Sequence, residues 1–134
     1  MREIKFRAWD KNLKTWTNYS IDDDLLMFYD KRAECWETDQ EGERFILCQY
    51  TGLKNFNGKE IYEGDIVRAV GFSKWIGVAK YSDKNQAFVF ESTDKNYRGN
   101  IVFMSQFDQG FKILGNICEN PELLEESNNV LTNR

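Results

Sequence analysis

A chain of 134 residues with 41% hydrophobic content has material for a folded domain, and its formal net charge of −4 argues against a protein that binds nucleic acid through bulk charge. It contains no histidine, which excludes Ser-His-Asp and Cys-His catalysis and any His-ligated metal site. Cys35, Cys48 and Cys118 form no CxxC pair, and no signal-like or twenty-residue apolar run accompanies them, so the expected setting is a reducing cytoplasm with no membrane partner and no cofactor.

Charge is placed unevenly. Residues 1–20 carry a net +3 and residues 21–45 a net −6, so the two segments neutralise each other within the fold or mate between subunits. In chain order, Ile4, Phe6 and Ala8 alternate with Lys5 and Arg7, the period-two signature of a strand with one wet face. Asp10-Lys11-Asn12 turns the chain, and 14–21, with Trp16 and Tyr19, is expected to return as one strand. Asp22-Asp23-Asp24 before Leu25-Leu26-Met27-Phe28-Tyr29 predicts a helix of one or two turns, its carboxylates capping the first amides. Residues 33–38 predict a short strand and 39–43 a polar loop.

The densest turn chemistry lies between 47 and 68. Tyr50-Thr51-Gly52 closes one strand, Asn57-Gly58 marks a hairpin, and Glu63-Gly64-Asp65 turns the chain into Ile66-Val67. Asp65 reads as a turn residue whose carboxylate accepts backbone N–H bonds, in preference to an acid paired with Glu60 or Glu63. Further on, 75–81 and 86–91 predict a hairpin with Phe88 and Phe90 on one face, 101–104 a short strand and 111–117 a last one. Asn120-Pro121 starts a short terminal helix. The expected fold is mostly β: a small, partly closed antiparallel barrel or sandwich with one or two short helices. Its expected divisions are a hairpin-and-helix subdomain over 1–45, a barrel-like core over 46–120, and a short helix and tail over 121–134.

Three segments together resemble the YopX family of phage and prophage proteins: Ile4-Lys5-Phe6-Arg7-Ala8-Trp9-Asp10, the stretch from Gln49-Tyr50-Thr51-Gly52 to Tyr62-Glu63-Gly64-Asp65-Ile66-Val67, and Gly115-Asn116-Ile117 with Glu119-Asn120-Pro121. The likeness runs over nearly the whole chain, with Phe56 and Cys118 as departures from the commoner polar and tyrosine choices. It implies a small, mostly β protein of a phage or prophage, located in the cytoplasm of the bacterial host, and carries no catalytic residue with it.

With no catalytic set in view, the expected function is non-enzymatic: a β-rich interaction module that self-associates as a homo-oligomer and acts on a host or phage macromolecule. The alternatives are single-stranded nucleic-acid binding and sequestration of a small nucleotide signal. Both need cations beside stacking rings, and Arg7, Trp9, Arg68, Lys74 and Trp75 are the candidate residues, with Lys95-Asn96-Tyr97-Arg98 as a further loop. The competing structural reading places Trp9, Trp16 and Trp75 in the core with basic neighbours snorkelling past them.

Overall fold

The computed structural model describes residues 3–22, 25–39, 42–55, 57–69, 75–93, 101–103 and 110–124. These residues form twelve strands and a helical turn at 122–124. The strands make three antiparallel sheets, ordered β2-β1-β6-β7, β11-β10-β9-β8-β12 and β3-β4-β5. The chain divides into two units, Ile4–Gln49 and a second comprising Met1–Glu3 with Tyr50–Arg134, and the boundary falls within β6 (Phe45–Lys54).

In the N-terminal unit, β1 (Phe6–Asp10) lies between β2 (Thr15–Thr17) and the first half of β6, while β4 (Leu25–Asp30) lies between β3 (Tyr19–Asp22) and β5 (Cys35–Thr38). Ala8, Phe45 and Leu47 from the first sheet meet Tyr19, Leu26 and Phe28 from the second, and the Phe28 and Phe45 rings stack 4.1 Å apart. Alternation along each strand sends every second side chain to this core. The chain passes from one sheet to the other at Asn18, so 14–21 is two strands where the sequence suggested one. The predicted helix at 25–29 is also a strand. Leu and Met favour helix locally, but pairing with both β3 and β5 overrides so short a preference.

One hairpin design occurs three times. Trp9 pairs in register with Trp16, Tyr29 with Trp36 and Tyr81 with Phe88, each couple meeting edge to face at 4.9, 5.4 and 5.2 Å. The next residue in each first strand, Asp10, Asp30 or Ser82, accepts backbone N–H bonds from its own loop. The loop then ends on Lys14, Glu34 or Gln86 with φ of 53°, 54° and 51°, the only non-glycine residues of positive φ among those described.

The C-terminal unit holds the five-stranded sheet, curled into half a barrel: β8 (Asp65–Ala69), β9 (Ile76–Ser82), β10 (Ala87–Ser92), β11 (Ile101–Phe103) and β12 (Phe111–Asn116). Val67, Ala79, Phe88, Phe90 and Phe111 from this sheet form a core with Ile61 of β7 (Glu60–Tyr62). Asn55 organises the β6–β7 turn, its side-chain oxygen accepting the Asn57 and Lys59 N–H groups at 3.0 Å, while Gly58 supplies a φ of 81°.

The second and third resemblance segments meet in this unit. The Asp65 carboxylate accepts the Tyr62 N–H at 2.8 Å, as a turn residue should, and its other oxygen accepts Asn116 Nδ2 at 3.0 Å. Asn116 Oδ1 in turn accepts the Cys118 N–H. Asn120 Oδ1 bonds back to the Asn116 N–H, while the Asn120 backbone oxygen starts the helical turn by accepting the Leu123 N–H.

Candidate functional site

Among the described residues, a charged cluster centred on Arg44 lies where hairpin turns of the N-terminal unit's two sheets meet. Arg44, just before β6, donates from Nε and Nη2 to the two Asp10 oxygens at 3.2 and 3.0 Å. Its Nη1 donates to Asp30 Oδ2 at 3.0 Å and to Glu37 Oε2 at 3.3 Å. Asp39 completes the corner by accepting the Arg44 and Phe45 N–H groups. One guanidinium thus ties the turns of two hairpins from different sheets to the start of β6.

The electrostatics follow from these contacts. Burial alone would raise the Asp10 carboxyl, but the Arg44 hydrogen bond and the Leu13 and Asn12 N–H groups hold it below the usual carboxylate range. Asp30 is drawn down to about 2, first by the Arg44 hydrogen bond, against opposing burial, then by the Ala33 and Arg32 N–H groups. Asp10 and Asp30 raise the Arg44 guanidinium further above its already high value. Every Asp10 oxygen is committed to Arg44 or to its own turn, so the cluster serves as a cross-sheet staple. Among the described residues, no group of three His, Cys, Asp or Glu side chains is placed to hold a metal ion.

The candidate basic and aromatic residues fall in both units. In the N-terminal unit Trp9 is 6% exposed, and the Arg7 guanidinium carbon sits 3.9 Å over the Trp16 ring. In the C-terminal unit Trp75 packs against the half-barrel core with its ring over Gly77, so close that a Cβ there would lie 2.4 Å from it. Arg68 alternates with Val67, a core residue, and therefore lies on the other face of the sheet, in register with Lys112. Lys74 and Lys95–Arg98 lie outside the described residues.

A different surface emerges from the strand at 25–30. Leu26 and Phe28 point to the core, so Leu25, Met27 and Tyr29 lie on the outward face of β4, with Trp36 of β5 beside Tyr29. Leu25 is 56% exposed and Trp36 45%. β4 is thus apolar on both faces, a pattern proper to a strand covered on both sides. Reading 25–29 as a helix hid this row; the alternation is plain once the segment is a strand.

The chain holds two small β units, one of them a half-barrel, and the arginine hub lies within the N-terminal unit, where it staples the turns of two sheets; this defines the class as a mostly β protein of two such units. The description "YopX protein" matches residues 5–125, and the chain belongs to the YopX family. It is similar to the crystal structure of protein EF1440 from Enterococcus faecalis, with 26% identity, a TM-score of 0.65 and coverage of 92% of this chain and 99% of that one. It shares its fold with the crystal structure of protein yopX from Bacillus subtilis, at 17% identity, TM-score 0.53 and coverage of 92% and 98%. No curated protein matches the chain.

Proposed function

We propose that this chain is a non-enzymatic accessory protein of a phage or prophage, working in the host cytoplasm as a β-rich module that docks on another protein surface. The observation that carries the reading is the outward row Leu25, Met27, Tyr29 and Trp36, an apolar strip on a sheet whose opposite face is already occupied by the core. Aromatic and methionine side chains are the residues that protein interfaces favour. Nucleic-acid stacking fits less well, because it needs ring faces open to solvent, whereas Trp9 is buried, Trp75 packs inward, and Arg7 already covers one face of Trp16.

The test is affinity capture from host cells with the wild-type chain and with Trp36→Lys. A partner recovered by the first and lost by the second supports the reading. Identical recoveries, or steady turnover of a substrate by the purified protein, contradict it.

A further inference from the structure

We propose that Asn57 is a latent deamidation site, held unreactive by the β6–β7 turn and released when that turn opens locally.

Asn57-Gly58 is the one Asn-Gly pair in the chain. Glycine after asparagine favours attack by the main chain on the side-chain amide, because no Cβ shields the attacking nitrogen or restricts its rotation. The Gly58 nitrogen gives its proton to hydroxide and bonds to Asn57 Cγ. The Cγ–Nδ2 bond then breaks, and the departing nitrogen takes a proton from water to leave as ammonia, restoring the hydroxide. Water opens the cyclic imide at either carbonyl, giving aspartate or isoaspartate. Water is thus the sole co-reactant.

Both residues are exposed, and nothing lies within 4 Å of the place a Gly58 Cβ would take. Access does not limit the reaction; the backbone does. The Gly58 N–H donates to the Asn55 carbonyl at 2.9 Å. Ring closure needs this nitrogen to rotate toward the Asn57 side chain and to lose its proton, and both steps require that bond to break. The Asn55 side-chain oxygen, on a residue only 6% exposed, accepts the Asn57 and Lys59 N–H groups at 3.0 Å and so fixes the main chain on either side of the reacting pair. The Asn55 N–H donates to the Lys59 carbonyl at 2.9 Å, and the register pair of Lys54 with Glu60 closes the loop behind it. Asn55 is therefore a positioning residue that guards Asn57. Isoaspartate would route the main chain through the former side chain, adding a methylene between 57 and 58, so the Gly58 and Lys59 donors would no longer both reach Asn55. A turn that has reacted stays open.

The full chain, held at mildly alkaline pH and then digested, reads the reaction by mass spectrometry with the aspartyl and isoaspartyl products separated. Folded wild type should convert at least roughly tenfold more slowly than the same chain unfolded in urea, the ratio set by how seldom the turn opens. Asn55→Ala should recover several-fold of that difference, and Asn55→Asp, which keeps an oxygen acceptor, should stay near wild type. Asn116→Ala weakens the same unit elsewhere and should leave the Asn57 rate within about twofold of wild type, since local opening does not require global unfolding. Amide hydrogen exchange at Gly58 gives a check without a variant: its protection should match the ratio of the folded and unfolded deamidation rates. No conversion in the unfolded chain overturns the site, and equal conversion in folded and unfolded chains, or an unprotected Gly58 N–H, overturns the guard. Acceleration by Asn116→Ala as great as by Asn55→Ala overturns the role of the turn.

Discussion

Arg44 holds Asp10 with two nitrogens, at 3.2 and 3.0 Å, although the two residues are 34 positions apart and start from segments of opposite net charge. Asp10 is fully buried, whereas the Arg44 side chain is one-fifth exposed. Removing the arginine leaves a buried carboxylate without its partner, which costs about 3–5 kcal/mol. Arg44→Ala should therefore lower the denaturant midpoint sharply. Asp10→Ala should also lose the Asn12 and Leu13 acceptor, so the double variant should cost much less than the two single costs added together.

Acid should loosen the same corner. The Asp30 carboxyl sits at about 2 in the folded chain against an ordinary value of 3.8, so the stability it contributes is present above about pH 4 and is lost as pH falls through 2. Asp10, also lowered, adds to the loss in the same direction. With no imidazole in the chain, stability between pH 5 and 7 should be nearly flat. Urea denaturation across pH 2–7 checks this, and Arg44→Ala should flatten the acid limb.

Glu34 closes the β4–β5 loop at φ 54°, a left-handed conformation that costs a residue with a Cβ about 1 kcal/mol. Glu34→Gly should raise or leave unchanged the thermal midpoint, and Glu34→Val, β-branched, should lower stability by at least ~1 kcal/mol. The same substitutions at Lys14 and Gln86 should rank in the same order if the three hairpins share one design.

Asn116, itself buried, links three groups of the half-barrel: the buried Asp65 carboxylate and the half-buried Glu63 carbonyl and Cys118 N–H. Asn116→Ala orphans them and should destabilise by about 1–3 kcal/mol, whereas Asn116→Asp should be worse, since it sets a second carboxylate against Asp65.

Much of this architecture is legible in the residues. The Asn57-Gly58 and Gly64-Asp65 signals give the turns they should, because positive φ and a carboxylate acceptor are local requirements that few residues meet. The hairpin of β9 and β10 is legible from its own turn residues. Leu25–Asp30 is not, because a five-residue apolar run after aspartates satisfies helix and strand alike, and only its neighbours on both sides decide. Arg44 is equally hidden. One of three bases in an acidic stretch, it carries no motif, and its partners Asp10 and Asp30 look like ordinary turn residues until the two hairpins are brought together. The stacking role offered by Trp9 and Trp75 depended on which face each ring takes, and adjacent strands, rather than adjacent residues, determine that.

Hydroxyl-radical footprinting of Met27, Tyr29 and Trp36 tests the central claim most directly, because all three side chains are reactive and lie on the proposed docking face. The chain should be labelled once in dilute purified form and once at high concentration or in host extract. Oxidation of these three residues should fall by several-fold in the second condition, while exposed Tyr81 on the other unit keeps its rate. Equal oxidation of Trp36 in every condition would mean that nothing covers the face, and the interaction account would be wrong.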